Sequence, residues 1–393
     1  MQDDHATSGG LLPGWPQYDQ DQIDAVTRIL QSGKVNYWTG DESRLFEREF
    51  AARSGCAYGV ALSNGTVALQ LALMALDLEP GSEVIVTPRS FVASAAVALM
   101  AGCRTVFVDV DRDSGNFDPS AVEAAVTGRT RAIIAVHLAG WPCDMDSLMA
   151  IADRHGLQVV EDCAQAHGAD IGGRPVGSFG RVATWSFCQD KIITTCGEGG
   201  MVTTNDRGVW ETCWQYKDHG KSIKLANGKP MSLPHFQYVH DTLGSNYRMT
   251  EVQAAVGRVQ LRRLDEWVAR RRHNARILLD ELGDVRGLRT PGPRAGVHPS
   301  YYKFYAYTGP GVDRNRVAAR VMEKGIRCSA GSCSEIYLEK PFRDAGFAPA
   351  EPLPVARELG ETALMLQVHP TLDDGHMRSI ARVVREAVAE ARS

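Results

Sequence analysis

Short apolar runs alternate with helical patterns over the first two thirds of the chain. The apolar runs cover residues 58–62, 83–86, 104–110, 132–138 and 157–161. The helical patterns that follow them cover residues 67–78, 93–100, 119–126 and 145–155. Strands that alternate with helices of about 10 to 15 residues are typical of βαβ units. We therefore expect an α/β fold in which a mostly parallel sheet carries helices on both faces.

Two further apolar runs, 181–187 and 200–204, predict strands with the character of a hairpin around the loop between them. Residues 249–283 predict one long amphipathic helix that is rich in arginine. We expect these arginines to form a solvated face, and a contact with a phosphate or a partner is the alternative.

A change of pattern near residue 290 indicates a second domain. Four of the 18 prolines lie between 287 and 311, and another α/β pattern follows them. We expect a large domain over 16–270 and a smaller α/β domain over 271–393. An N-terminal arm, 1–15, is expected to pack nearby.

Composition excludes several classes of protein. The 393 residues exceed one typical core, and a net charge of −4 argues against a general nucleic-acid binder. No run of 18 apolar residues predicts a membrane span, and the acidic N-terminus does not resemble a signal peptide. The nine cysteines contain no CxxC pair, so we expect reduced thiols in the cytoplasm and no metal site.

The strongest chemical signal is a carboxylate and a lysine that each follow a predicted strand, with room for two short strands between them. Asp162 ends the apolar run 157–161, and ligands of parallel sheets bind beyond the carboxyl ends of strands. Lys191 follows the run 181–187 and precedes a glycine-rich loop. Pyridoxal phosphate enzymes need a lysine that forms a Schiff base and an acid that holds the pyridine nitrogen protonated. The alternatives are a helix cap or a surface salt bridge for Asp162, and a surface loop for Lys191.

Three other segments could complete such a site. The turn Ser63-Asn64-Gly65-Thr66 opens a helix, so its glycine and amides could bind an anion, although Thr66 could simply be an N-cap. Phe91 follows another strand end and could stack on a pyridine ring or pack in the core.

The third segment is the loop 244–251. It could contribute to the site, and the alternative is that it serves solely to cap the long helix through Thr250. Three histidines, His137, His167 and His369, lack the spacing of metal ligands and are expected to pack or to form hydrogen bonds.

Taken together, these segments resemble the DegT/StrS family of sugar aminotransferases, which are fold-type I pyridoxal phosphate enzymes. The resemblance extends from about residue 33 to 372. It rests on Ser63-Asn64-Gly65-Thr66, Glu161-Asp162-Cys163-Ala164-Gln165-Ala166-His167-Gly168, Ser186-Phe187 ahead of Lys191, Gly197-Glu198-Gly199-Gly200, and Asn246-Tyr247-Arg248-Met249. One departure is Cys188-Gln189-Asp190, where family members often have His-Pro-x before the lysine.

The resemblance implies a seven-stranded, mostly parallel sheet in the large domain and a role for each matched residue. Lys191 would be the Schiff-base lysine and proton shuttle, and Asp162 would pair with the pyridinium nitrogen. The remaining cofactor-binding residues would be Gly65, Thr66 and Ser186 at the phosphate, Phe91 on the ring, Gln165 near the phenolic oxygen, and Asn246 at the phosphate of the other subunit. Members of the family form homodimers in which the two subunits share the active sites.

The function that the resemblance implies is transfer of the amino group of L-glutamate to a keto sugar. A nucleotide-linked keto-6-deoxyhexose is the expected acceptor, and a keto-cyclitol (inosose) of aminoglycoside-type biosynthesis is the alternative. A pyridoxal phosphate-dependent sugar dehydratase or a non-catalytic protein is disfavoured, because Lys191 and Asp162 are both present.

Overall fold

The computed structural model describes residues 12–226 and 239–392. Fourteen strands occur in the described residues: β1 Tyr58–Leu62, β2 Glu83–Val86, β3 Arg104–Phe107, β4 Thr130–Val136, β5 Gln158–Asp162, β6 Asp170–Ile171, β7 Arg174–Pro175, β8 Val182–Ser186, β9 Gly200–Thr204, β10 Leu288–Arg289, β11 Val297–His298, β12 Phe304–Thr308, β13 Cys328–Ser329 and β14 Ala363–Leu366. The central feature of the fold is a seven-stranded sheet with the order β1-β9-β8-β5-β4-β2-β3.

The five strands from β8 to β3 pair in parallel, and β9 runs antiparallel to both β8 and β1. Both faces of the sheet are covered. Val84, Val86 and Val160 pack on one side, whereas Ile85 and Val159 pack on the other. This explains why the strands read as continuous apolar runs instead of alternating patterns. The expected mostly parallel seven-stranded sheet is confirmed, including the hairpin formed by β8 and β9.

Helices supply the layers that cover the sheet. The described residues form α1 Gln20–Ser32, α2 Glu42–Arg53, α3 Gly65–Met74, α4 Ala93–Met100, α5 Pro119–Ala125, α6 Met145–His155, α7 Arg207–Tyr216, α8 Ile223–Ala226, α9 Glu251–Leu282, α10 Arg314–Glu323, α11 Lys340–Asp344, α12 Pro354–Thr362 and α13 Asp374–Glu390. Two short 3₁₀ helices, Leu138–Gly140 and Ile336–Leu338, complete the set. Within the described ranges, no helix combines the length and the apolar character that a membrane crossing requires.

The C-terminal part of the chain has its own antiparallel sheet, in the order β10-β12-β14-β13. A separate three-stranded sheet, β11-β6-β7, joins residues 297–298 to residues 170–175. Apolar side chains of α10, α13 and the end of α9 cover the four-stranded sheet, among them Val317, Ile380 and Leu278.

Helix α9 connects the two parts of the molecule. Thr250 forms a capping box with Gln253, so the helix begins as its N-cap residue predicts. Its first half packs on α1 and α2, its second half packs on α13, and it continues through residue 270, where the predicted domain boundary falls. One expectation for its arginines was wrong. Arg271 is not solvated but buried, and it donates to the carbonyls of Tyr301 and Tyr302 because α9 passes beneath that segment.

Candidate active site at the carboxyl ends of the strands

Asp162 lies at the carboxyl end of β5 and is 4 % exposed. The Ser94 hydroxyl donates to its Oδ2 at 2.7 Å, and the backbone N–H of Ala164 donates to its Oδ1 at 3.1 Å. Burial raises the pKa of Asp162 above its ordinary value, although these two bonds and the nearby positive charge of Lys191 oppose the shift. A cation beside this buried carboxylate would stabilise its ionised form. Because Asp162 is buried at a strand end, the alternatives of a helix cap and of a surface salt bridge are both wrong.

Lys191 lies in the loop between β8 and β9 and is half-buried. The backbone carbonyl of Lys191 accepts a 2.8 Å hydrogen bond from Trp15 Nε1, which ties the loop to the N-terminal segment. Its ammonium group lies 4.8 Å from the centroid of the Tyr302 ring. Groups that lie far away in sequence therefore contact both the backbone and the side chain of Lys191, unlike those of a surface loop.

Gly65 and Ser186 meet beside this loop and form a cradle. A β-carbon at Gly65 would lie 2.7 Å from Cβ of Ser186, and a β-carbon at Gly200 would lie 2.2 Å from the carbonyl oxygen of Asn64. Only glycine allows these segments to approach so closely. Asn64, and not Thr66, is the N-cap of α3, so the alternative role of Thr66 is wrong. Thr66 is exposed on the first turn, where amides and hydroxyl can bind an anion.

Phe91 and Gln165 lie on loops that flank Asp162. Phe91 is 46 % exposed, so it does not pack in the core, and its ring is available for stacking. Gln165 is buried, and its Oε1 accepts a 2.7 Å hydrogen bond from the backbone N–H of Ala139. This bond orients the side chain and leaves its NH₂ group as the donating end.

Asn246 lies on a segment that runs past the same end of the sheet. The residue forms a backbone bridge with Asp218, and the next carbonyl, that of Tyr247, accepts from the N–H of Ser63 at 2.9 Å. The side chain of Asn246 is exposed. It can therefore reach outward from the molecular surface.

A buried cluster behind the site is structural. Glu161 accepts backbone N–H groups from residues 177, 179 and 180 and faces His137 Nε2 at 3.1 Å. His137 Nδ1 accepts from the N–H of Cys143, so the Nε2 proton points at Glu161. Together with Cys163 these side chains lie close enough to bind an ion, but their oxygen and nitrogen atoms already have partners. The cluster instead joins β5 to the end of β4 and to residues 177–180 ahead of β8.

The other two singled-out histidines pack or form hydrogen bonds, as predicted. His167 lies among Phe50, Trp185 and Phe187, and burial, followed by the charge of Lys191, lowers its pKa to about 3. His369 pairs with side chains of its own turn.

Two residues at the site escaped the sequence analysis. Ser94 was part of an apolar helix pattern, and only its position opposite Asp162 distinguishes it. Tyr302 comes from the C-terminal part of the chain, more than 100 residues beyond Lys191, and its hydroxyl donates to Asp190. The signal in the sequence that could have indicated a partner such as Tyr302 was Asp190, an acidic residue next to Lys191 in the stretch that departs from the family pattern.

The residues present fit pyridoxal phosphate. Asp162 supplies a buried anion for a pyridinium nitrogen, Lys191 supplies an amine nearby, and the Gly65–Ser186 cradle opens a helix N-terminus to a phosphate. The exposed ring of Phe91 can cover a face of the pyridine. This arrangement can hold a carbonyl cofactor and move a proton at the atom next to it.

Comparisons with known proteins agree with this chemistry. The solved structure of an aminotransferase from Psychrobacter cryohalolentis superposes with a TM-score of 0.93 at 46 % identity, covering 97 % of this chain and 99 % of that one. A GDP-perosamine synthase from Caulobacter vibrioides is 42 % identical over 367 residues, which are 91 % of this chain and 93 % of the relative. An L-glutamine:2-deoxy-scyllo-inosose aminotransferase from Streptoalloteichus tenebrarius is 40 % identical over 299 residues, 75 % of this chain and 70 % of the relative.

The fold is that of the fold-type I aminotransferases, as the resemblance implied. Residues 16–385 match the DegT/DnrJ/EryC1/StrS aminotransferase family. The chain therefore belongs to the DegT/DnrJ/EryC1/StrS aminotransferase family and is an aminotransferase.

Proposed function

We propose that this aminotransferase uses pyridoxal 5′-phosphate to transfer the amino group of L-glutamate to the ketone of a nucleotide-linked keto-6-deoxyhexose. The observation that carries the proposal is the buried carboxylate of Asp162 at the end of β5, with Lys191 in the loop that faces it. A related enzyme acts in GDP-perosamine synthesis, which supports a nucleotide sugar as the acceptor.

The bound cofactor would supply an electron sink for the substrate carbon next to the amine. Lys191 would attach the cofactor covalently and would then carry a proton to and from that carbon. Asp162, held by Ser94, would keep the ring nitrogen protonated. The remaining proposed contacts are those of Gly65, Thr66 and Ser186 with the phosphate, Phe91 with the ring face, and Gln165 with the phenolic oxygen.

We also propose a homodimer in which Asn246 binds the phosphate in the partner's site. The exposed side chain of Asn246 supports this role. A surface cleft lies between the α1 region and the loop that carries Lys191, and its lining includes Tyr18, Ile23 and Gly197. Tyr18 and Ile23 are large apolar side chains that are exposed. Exposed apolar side chains in a cleft support a subunit interface at this surface. All nine cysteines lie in the described residues and are free, which supports a reducing compartment, and we place the enzyme in the cytoplasm.

The acceptor is tested by direct assay. The cofactor-loaded enzyme is incubated with L-glutamate and with dTDP-, UDP- and GDP-linked 4-keto- or 3-keto-6-deoxyhexoses, one at a time. Formation of 2-oxoglutarate and an aminated sugar of the expected mass supports the proposal. The Lys191→Ala variant and omission of the cofactor are the controls.

An inosose is the second candidate acceptor, because the relative from Streptoalloteichus tenebrarius is 40 % identical and is an inosose aminotransferase. That relative uses L-glutamine. The same assay therefore includes 2-deoxy-scyllo-inosose with each of the two amino donors. If the enzyme converts the inosose and none of the nucleotide sugars, the inosose replaces the nucleotide sugar as the proposed acceptor. The absence of turnover with every keto substrate would refute the proposal.

A further inference from the structure

Arg89 is a fully buried arginine beside the candidate site. It follows β2, two residues before Phe91, and its exposed fraction is 0 %. The guanidinium lies over the rings of Tyr305 and Tyr307, at 5.0 and 6.0 Å from their centroids. Nη1 donates to the hydroxyl of Ser334 at 2.8 Å. These contacts place a permanent positive charge between the central sheet and the C-terminal sheet.

Among residues 12–226 and 239–392, this charge has no counter-ion. No acidic side chain in the described residues forms an ion pair with Arg89, and its buried Nε and Nη2 have no hydrogen-bond partner. A buried ion without partners is costly, and aromatic rings do not supply acceptor atoms. Nε and Nη2 lie on one edge of the guanidinium and point the same way. That edge matches two oxygen atoms of a carboxylate or a phosphate.

Gly115 packs beside the unpartnered edge. A β-carbon there would lie 3.3 Å from Nε of Arg89 and 3.3 Å from Cδ2 of Leu138, which is a crowded position, so the absence of a side chain at Gly115 keeps this edge uncovered. Leu138, Tyr305 and Tyr307 line a narrow cleft that also contains Lys303.

The residue after Arg89 also links it to the site. The hydroxyl of Ser90 is 3.0 Å from that of Ser94, which donates to Asp162. The loop that carries Arg89 therefore also carries the ring of Phe91 and supports the acid that would hold the cofactor.

We propose that Arg89 binds an anionic group of a substrate, a carboxylate or a phosphate, through Nε and Nη2. The identity of the anion as part of a substrate rests on the proposed function. A carboxylate would belong to the amino donor, and a phosphate would belong to the nucleotide of the acceptor. In either case Arg89 is a residue that determines specificity in addition to the matched family motifs.

Calorimetric titration of the cofactor-loaded protein with two probes tests this assignment. Glutarate is a dicarboxylate that has no amino or keto group to react, and dTDP presents a diphosphate. The variants are Arg89→Met, Arg89→Lys and, as a matched control, Arg289→Met. Arg289 also lies over the Tyr307 ring, at 4.6 Å, but it already pairs with Asp113.

Arg89→Met should weaken the binding of one probe by about 10- to 100-fold, the loss expected for charge-assisted hydrogen bonds. Arg89→Lys should weaken the binding of the same probe by about tenfold, since an ammonium group lacks the planar pair of N–H donors that a guanidinium presents to two oxygen atoms. Weaker glutarate binding identifies a carboxylate, and weaker dTDP binding identifies a phosphate. Arg289→Met should bind both probes as the wild type does.

Unchanged binding of both probes to Arg89→Met, or no binding of either probe to the wild type, overturns the assignment. If Arg89→Met does not fold, a wild-type structure with the bound probe decides, because an oxygen should lie within hydrogen-bond distance of Nε or Nη2. A guanidinium still without an anion would then overturn it. Probe binding through Arg89 without any transamination would refute only the proposed function.

Discussion

The ammonium group of Lys191 lies 4.8 Å from the centroid of the Tyr302 ring, and the ammonium group of Lys303 lies at the same distance from that ring. The Tyr302 hydroxyl donates to Asp190, whose Oδ2 is 4.0 Å from Lys303 Nζ. Two consecutive pairs, 190–191 and 302–303, thus join the lysine loop to the C-terminal part of the chain. The site is completed by residues that lie on both parts.

Tyr302 should position Lys191 through its ring more than through its hydroxyl. A cation over an aromatic face contributes about 0.5–2 kcal/mol, so Tyr302→Leu should lower kcat/KM by about 3- to 30-fold. Tyr302→Phe keeps the ring and serves as the matched control, with an expected change below about threefold. Steady-state kinetics with L-glutamate measures both. Equal losses in the two variants would assign the effect to the hydroxyl.

The cofactor-free protein should gain stability at neutral pH from Asp162→Asn. Burial raises the pKa of Asp162, so the folded chain binds this proton more tightly than the unfolded chain does. The ionised group therefore destabilises the fold as pH rises from its ordinary pKa near 4 through the raised value. Thermal melting at pH 7 should give a melting temperature at least equal to that of the wild type. Added pyridoxal phosphate should stabilise the wild type more than the variant.

Asp190→Asn is the control of opposite sign. Burial would raise the pKa of Asp190, but Lys191, Lys303 and Tyr302 together lower it below its usual range. Its contribution to stability is present above the ordinary pKa near 4 and is lost as pH falls through the lowered value. The variant should therefore melt below the wild type at pH 7, and the difference should shrink in acid. Identical pH profiles for the two variants would contradict both assignments.

Lys217 should contribute to the free energy of unfolding and should have no direct role in the amino-transfer reaction. Its ammonium group is fully buried and lies 2.5 Å from Oε1 of Glu47, which also accepts from the N–H of Ala61. Lys217→Met would leave the carboxylate buried without its cation, which costs about 3–5 kcal/mol. Denaturant unfolding measures the loss, and adding Glu47→Leu should restore part of it. Lys340→Met, which breaks an exposed pair, should cost about 1 kcal/mol or less.

Lys191→Ala should abolish turnover and leave the fold intact, because no other lysine is predicted to attach the cofactor. Borohydride reduction followed by peptide mass spectrometry should find the cofactor on Lys191 in the wild type and on no peptide of the variant. Lys324→Ala changes an exposed lysine and should behave as the wild type in both measurements. Full activity of Lys191→Ala would disprove the role of this residue.

Asn246→Ala should weaken cofactor retention by about ten- to a hundredfold, the loss expected for a hydrogen bond to a charged phosphate. Equilibrium dialysis measures this affinity. If the sites are shared, a mixture of Lys191→Ala and Asn246→Ala subunits contains dimers with one complete site. At limiting cofactor the mixture should then exceed the activity of either parent. Mixed dimers that form without any recovery would place Asn246 outside the partner's site.

The sequence alone determined the element pattern and the local chemistry. The alternation of strands and helices between residues 58 and 161, the N-cap at Thr250 and the pairing of β8 with β9 all follow from short-range periodicity and turn residues. The same holds for Asp162 at the end of β5 and Lys191 in the loop after β8, because parallel strands bring their carboxyl ends to one edge of the sheet. Local pattern is sufficient where neighbours in sequence are also neighbours in space.

Only the tertiary structure decided what each side chain contacts. The helical pattern assigned Arg271 to a solvated face, yet Arg271 is buried, and Arg89 is buried as well. Ser94 and Tyr302 approach Asp162 and Lys191 for the same reason. Burial and partners depend on how helices and sheets pack, and no periodicity of one segment encodes the identity of the segment that covers it.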